Sequence, residues 1–209
     1  MPSSLVTAGV DVGGPGKGFH AIALCNRNVV SRLSSSDPNA IADWCQKIGA
    51  AIVGVDAPIC WSRTGRARSA ERQLMAAGIS CFSTPSEAAA LNHPTDYYGW
   101  MRNGANLYRA LNAHFSPYNG RNATQRRMVL ETFPHAIACS LRGETVAAKN
   151  KRRVRRQLLS ELNVPCGTLT NIDFIDAALC AVAGEYFAKG LFEQHGDQDE
   201  GYIVLPRKS

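Results

Sequence analysis

Four short segments carry carboxylates among apolar residues: Gly-Val-Asp11-Val-Gly-Gly, Val-Gly-Val-Asp56-Ala-Pro-Ile, Val-Leu-Glu131-Thr-Phe-Pro and Ile-Asp173-Phe-Ile-Asp176-Ala-Ala-Leu. Three of them close strand-like runs and the fourth lies on a late helix, so a fold that gathered them would make a pocket of mutually repelling acids. A divalent cation relieves such repulsion, and hard oxygen donors select Mg2+ or Mn2+ over zinc. Metal-assisted phosphodiester chemistry is the natural use of that pocket. Asp173 and Asp176 sharpen the point, because residues three apart share a helix face, and Ile172, Phe174, Ile175, Ala177, Ala178 and Leu179 around them are all apolar. Like charges so spaced destabilise an isolated helix by about 0.2–0.5 kcal/mol, and an unpaired buried charge costs far more. The competing reading is that both acids merely favour the positive end of the helix dipole.

Glu131 closes its strand, as a further ligand or as a group that orients the attacking water. Glu71, between Arg68 and Arg72, reads as a surface ion pair or a contact of an inserted segment. The run Gly13-Gly14-Pro15-Gly16-Lys17-Gly18 either leaves room for a substrate phosphate, with Lys17 among the groups that bind it, or is only a flexible hairpin. It is not a Walker A loop: Asp11 stands six residues before Lys17 where glycine is required, and Gly18 stands where Ser or Thr is required. The five histidines, at 20, 93, 114, 135 and 195, lack ligand spacing, which argues against a zinc hydrolase, and His135 reads as structural. No cysteine has an obvious base partner and Ser83-Thr84 lacks a nucleophile-elbow setting, so covalent catalysis has no support.

A net charge of +6 hides a local bias. Lys149, Lys151, Arg152, Arg153, Arg155 and Arg156 put six positive charges within eight residues, and the other seventeen basic residues balance the seventeen acidic ones. Such a stretch suits a polyanion, since each phosphate neutralised releases a counterion; a solvated helix face is the plain alternative. Seven cysteines form no CxxC and sit mostly in apolar stretches, as reduced core thiols of a cytoplasmic protein would. The first ten residues lack the pattern of a secretory signal and no window approaches eighteen uninterrupted apolar residues, so no membrane association is expected.

At 209 residues the chain suits one domain, 1–209, carrying an insertion. Residues 5–11, 19–25 and 28–33 read as three antiparallel strands, the last two joined through Asn26-Arg27. Asp37-Pro38 starts a helix over about 38–48. Ala-Ile-Val-Gly-Val at 51–55 reads as a buried parallel strand with Asp56 at its carboxyl end, the edge where ligands of open α/β sheets gather. Residues 59–126 break the alternation, with helices near 69–77 and 105–113, and read as a helical insertion covering or bordering the site. A strand at 127–132, a helix from Pro134 to about 141, a helix opened by the basic stretch with Val154, Leu158, Leu159 and Leu162 as its apolar stripe, a long helix over 172–188 and an edge strand at 201–206 complete the reading.

In this order the chain resembles the ribonuclease H-like superfamily, and specifically an uncharacterised bacterial family of predicted RNase H-like nucleases. The resemblance runs through Asp11-Val-Gly-Gly, Val-Asp56-Ala-Pro-Ile, Arg68-x-x-Glu71-Arg72, Ser83-Thr84-Pro85, Glu131-Thr-Phe-Pro134 and Asp173-Phe-Ile-Asp176-Ala. It implies an α/β fold, a mixed five-stranded sheet flanked by helices with the insertion after the fourth strand. By the resemblance Asp11 is the first-strand acid, Asp56 the fourth-strand acid, and Asp173 with Asp176 the pair on the closing helix, as in RuvC-like resolvases. These hold the metals of a two-metal phosphodiester hydrolysis, one ion activating water and the other stabilising the departing oxygen. Aspartate at position 56, in place of the glutamate common there, shortens that ligand by one methylene. The same superfold resembles the core of sugar kinases and actin-like ATPases, so a nucleotide-binding phosphotransferase is the alternative; those proteins duplicate the fold, and this chain would need to form a homodimer. A catalytically inactive nucleic-acid-binding protein is the third reading.

Overall fold

The computed structural model describes residues 5–121, 127–147 and 149–208; the start of the leader window and residues 122–126 of the expected insertion fall outside them. The chain opens with β1 (Val6–Val12), β2 (Phe19–Cys25) and β3 (Asn28–Ser35), paired antiparallel in sequence. Asn26 and Arg27 both take positive φ, 48° and 65°, the left-handed pair that a two-residue hairpin turn demands. Helix α1 (Pro38–Lys47) starts as expected, with the Asp37 carboxylate accepting from the Asn39 amide at 2.9 Å and Pro38 in the first turn. It leads into β4 (Ile52–Asp56), which lies parallel to β1.

Next come α2 (Ser69–Ala76), the short α3 (Glu87–Leu91), a 3-10 turn (Asp96–Tyr98), α4 (Gly99–Leu111) and the two-residue β5 (Ser116–Pro117). Helix α4 begins six residues before the expected start because its buried face already includes Met101 and Gly104, followed by Leu107, Tyr108 and Leu111. The chain returns through β6 (Met128–Glu131), α5 (Pro134–Arg142), α6 (Lys151–Glu161) and α7 (Ile172–Ala188), then ends on the hairpin β7 (Phe192–Asp197) and β8 (Gly201–Pro206).

The sheet order is β3-β2-β1-β4-β6-β8-β7, with β5 beside β6. Its first five members are the mixed sheet expected from the sequence, but three more strands extend it to eight. Residues 201–206 are therefore not an edge strand: β8 lies between β6 and β7, and β7 is the edge. Phe-Glu-Gln-His-Gly-Asp has no apolar alternation to reveal it as a strand. One face of the sheet packs on α1 and α4 through Val10, Val53, Val55 and Val129, the other on α5, α6 and α7. All seven cysteines are free thiols, and no helix among the described residues is long and apolar enough to cross a membrane.

Candidate metal centre

Two glycines let the site form. Gly9 and Gly54 are register partners on β1 and β4, and α7 lies directly over them. A Cβ at Gly9 would run into the backbone of Ala177 and Ala181, and one at Gly54 into the carbonyl of Cys180. Two residues further along each strand, on the same face, stand Asp11 and Asp56, themselves register partners. The N-terminal turns of α7, capped by Asn171 on the Phe174 amide at 2.9 Å, bring Asp173 and Asp176 to that place. Side-chain period and backbone contact thus converge four carboxylates from three elements. Asp11, Asp173 and Asp176 are each less than 10% exposed.

Their electrostatics are those of an under-compensated acid cluster. Burial, then the charges of Asp176 and Asp173, pushes the Asp11 carboxyl up to about 7. Burial raises Asp56 well above the usual carboxylate range, helped by the charges of Asp11 and Asp176. Asp176 is raised by burial, with Arg155 opposing. Two cations answer the four acids. Lys17 folds back from the glycine hairpin to pair with Asp173, and Arg155 Nη1 donates to Asp176 Oδ2 at 2.5 Å. Burial alone would lower the Lys17 ammonium, but its bond to Asp173 and the neighbouring acids raise it. The other Asp176 oxygen, Oδ1, is buried with no hydrogen-bond partner.

Glu131 sits elsewhere. Its register partner on β4 is Val55, not Asp56, so it projects to the opposite face of the sheet. There it accepts from Arg68, whose Nη1 lies 2.8 Å away, and from the Ile59 amide at 2.8 Å. Glu71 is no surface residue: it is 2% exposed, accepts from Arg68 Nε and the Arg68 amide at 2.9 Å each, and binds Thr84 through amide and hydroxyl. Glu200 joins the same group through the Arg63 and Ser69 amides. A cavity of about 50 Å3 is lined by Asp56 of the acid cluster together with Arg68, Glu71 and Glu131 of this network, and by Phe82, Trp100 and Phe133.

The basic stretch also divides. Lys149, Lys151, Arg152 and Arg153 are exposed and Arg156 is half-buried. Arg155 is 7% exposed and bound to Asp176, so it is not free to meet a polyanion. The signal for this is in the sequence: Arg155, Leu158, Leu159 and Leu162 recur at helical spacing, which puts Arg155 on the inward stripe in place of the half-buried Val154. His20 is a further neighbour of the site that the sequence reading does not single out. It is the cross-strand partner of Asp11, its ring meets Phe174 edge-on at 5.2 Å, and its Nδ1 is buried without a partner. The histidines lack ligand spacing along the chain, whereas the spacing that matters here runs across the hairpin.

Among the described residues no group of three or more His, Cys, Asp or Glu side chains stands ready-arranged around a metal ion. The donor set nevertheless fits one chemically: Asp11 and Asp56 stand in register on adjacent strands, and Asp176 Oδ1 offers an unused buried oxygen. All these donors are hard oxygens, the preference of Mg2+ and Mn2+.

An antiparallel β3-β2-β1 meander, parallel β4 and β6, and acids on the first strand, the fourth strand and the closing helix together define a ribonuclease H-like domain. The chain belongs to the family described as "Protein of unknown function (DUF429)", which matches residues 9–201. Among solved structures it is similar to RuvC of Thermus thermophilus, at 14% identity over 89% of this chain and 96% of that one, with a TM-score of 0.47. It is also similar to T. thermophilus RuvC in complex with a Holliday junction substrate, at 16% identity over the same shares, with a TM-score of 0.45. No curated protein matches it. At those scores the fold assignment rests on the strand order and register described above.

Proposed function

We propose that the chain is a divalent-metal-dependent nuclease that hydrolyses phosphodiester bonds, with Asp11, Asp56, Asp173 and Asp176 as the acids that serve Mg2+ or Mn2+. The observation that carries this is the convergence of Asp11 and Asp56, in register on adjacent parallel strands, with an Asp176 whose Oδ1 has no partner. Buried polar atoms are almost always satisfied, and exceptions mark functional sites or absent ions. A divalent ion held there polarises a phosphoryl oxygen and lowers the pKa of water. The protein's part is to fix the acids on rigid elements, which Gly9 and Gly54 achieve by letting α7 rest on the sheet. Lys17, at the end of a long side chain, is 52% exposed and is placed to exchange Asp173 for a substrate phosphate. Exposed Lys149, Lys151, Arg152 and Arg153, at the amino end of the helix that delivers Arg155, offer a polyanion its electrostatic hold. Glu131 acts as a positioning residue, holding the segment after β4 through Ile59 and Arg68. The phosphotransferase alternative is less well supported, because Lys17 closes onto Asp173 instead of facing an open glycine loop.

The test is to incubate labelled single-stranded, duplex, hybrid and branched nucleic acids with Mn2+ and either the native chain or the double variant Asp11→Asn, Asp176→Asn. Loss of several kcal/mol of charge stabilisation predicts roughly a 10^3-fold fall in cleavage by the variant. Equal cleavage by the two would assign the activity to another site or to a contaminant. Stabilisation by nucleotide without any cleavage would favour the phosphotransferase.

A further inference from the structure

The number of ions the acid cluster can hold is set by its two resident cations. Four carboxylates face Lys17 and Arg155, leaving two formal negative charges, which one divalent ion neutralises. The cations differ in how readily they could leave. Lys17 stands on an exposed hairpin and can swing into water. Arg155 cannot: its side chain is 8% exposed and its helix is anchored by Leu158 and Leu159 in the core. Its guanidinium therefore stays on Asp176 Oδ2, 2.5 Å away. A second divalent ion on the Asp173–Asp176 side would meet this fixed like charge at short range in a poorly solvated setting, where Coulomb repulsion is several-fold stronger than in water. The carboxylates that pair directly with neither Lys17 nor Arg155 are Asp11 and Asp56, and Asp176 Oδ1 has no partner.

We propose that this acid cluster binds a single divalent ion and that the buried Arg155 guanidinium occupies the place of a second ion as a permanent positive charge. The proposal rests on the metal-dependent reading of the site and changes it in one respect: the paired-ion hydrolysis implied by the resemblance becomes a reaction with one exchangeable ion and one covalently tethered cation. An Arg cannot be chelated away or diluted out, so dependence on metal concentration is first order.

The experiment is Mn2+ titration of the full chain, followed by calorimetry and by electron paramagnetic resonance, with substrate-free protein so that turnover plays no part. The native chain should saturate at one Mn2+ and give the spectrum of an isolated ion. Arg155→Met, which frees Asp176 Oδ2, should saturate at two and show exchange-coupled Mn2+; Arg155→Lys, which keeps the charge, should stay at one. If the Met variant does not fold, Arg155→Gln keeps a donor for Asp176 and carries the same expectation of two. Two ions in the native chain would overturn the proposal, as would one ion in both the native chain and the uncharged variant. Failure of the native chain to bind any Mn2+ would overturn the metal-dependent reading itself, and this inference with it.

Discussion

The molecule holds two groups of carboxylates that border one small cavity, and they are treated in opposite ways. Around Arg68, the carboxylates of Glu71, Glu131 and Glu200 are met by guanidinium, hydroxyl and backbone N–H donors, and no buried oxygen there lacks a partner among the described residues. Burial alone would lower the Arg68 guanidinium, but Glu131 and Glu71 raise it instead. Around Asp11, one buried oxygen is orphaned, and burial with like charge drives a carboxyl up to about 7. A satisfied network can only hold a structure in place; an unsatisfied one retains binding energy for something that arrives. The Arg68 group is accordingly a staple that fastens Ile59, α2, Thr84 and the β7–β8 turn to the sheet, and the Asp11 group is the site we propose.

The largest effect should come from breaking the staple. Arg68→Ala strands Glu71 and Glu131 as buried unpaired charges, and denaturant unfolding should report a loss of about 3–5 kcal/mol. A loss under about 1 kcal/mol would mean that the network is less dry than its burial implies. Next comes the seat of α7: Gly54→Ala forces a methyl against the Cys180 carbonyl, which should cost about 1–3 kcal/mol as an overpacked contact and weaken Mn2+ binding as the helix lifts from Asp11 and Asp56. Unchanged Mn2+ affinity in a destabilised Gly54→Ala protein would separate the helix position from the site.

The two groups should also part in their response to pH. Asp11 keeps its proton to about 7 in the native state, whereas in an unfolded chain it releases it near 3.8. Between those values the unfolded state binds fewer protons, so the Asp11 contribution to stability falls as pH rises through the window and levels off above about 7. Thermal unfolding of metal-free native protein should show this decline and Asp11→Asn should flatten it. Saturating Mn2+ should remove it as well, because a cation beside the ionised carboxylates offsets the repulsion that holds the proton on Asp11. The smallest structural effect is expected at the exposed end of α6. Arg152→Ala with Arg153→Ala should shift stability by no more than about 0.5 kcal/mol each. The pair should nevertheless flatten the log–log salt dependence of nucleic-acid binding, by a slope of about 0.9 for each phosphate no longer neutralised.

Much of this architecture is legible in the sequence because local signals agree with the fold. The Asn26-Arg27 turn, the Asp37-Pro38 start and the Val-Gly-Val-Asp56 run each announce one element with one physical cause. The Glu131 motif reads as part of the acid pocket, and the register that turns it away is hidden, because pairing Val55 with Glu131 is decided by the neighbouring strands and not by the run itself. Arg68-x-x-Glu71-Arg72 and Ser83-Thr84-Pro85 stand out as motifs, but only the folded chain shows that they serve one ion network. Strand β7 is concealed because an edge strand facing water needs no apolar alternation. Counting charge along the sequence groups Arg155 with its exposed neighbours; only the side of the helix that each charge occupies separates them.

The most direct test of the central idea is the thermal shift produced by Mn2+ at pH of about 8 in the native chain and in Asp11→Asn, both shown to be folded beforehand. A ligand bound only by the native state at about a hundredfold above its Kd stabilises by about 2.7 kcal/mol. The native chain should therefore melt several degrees higher with Mn2+, and Asp11→Asn should barely respond. An equal rise in both proteins, or none in either, would contradict the account.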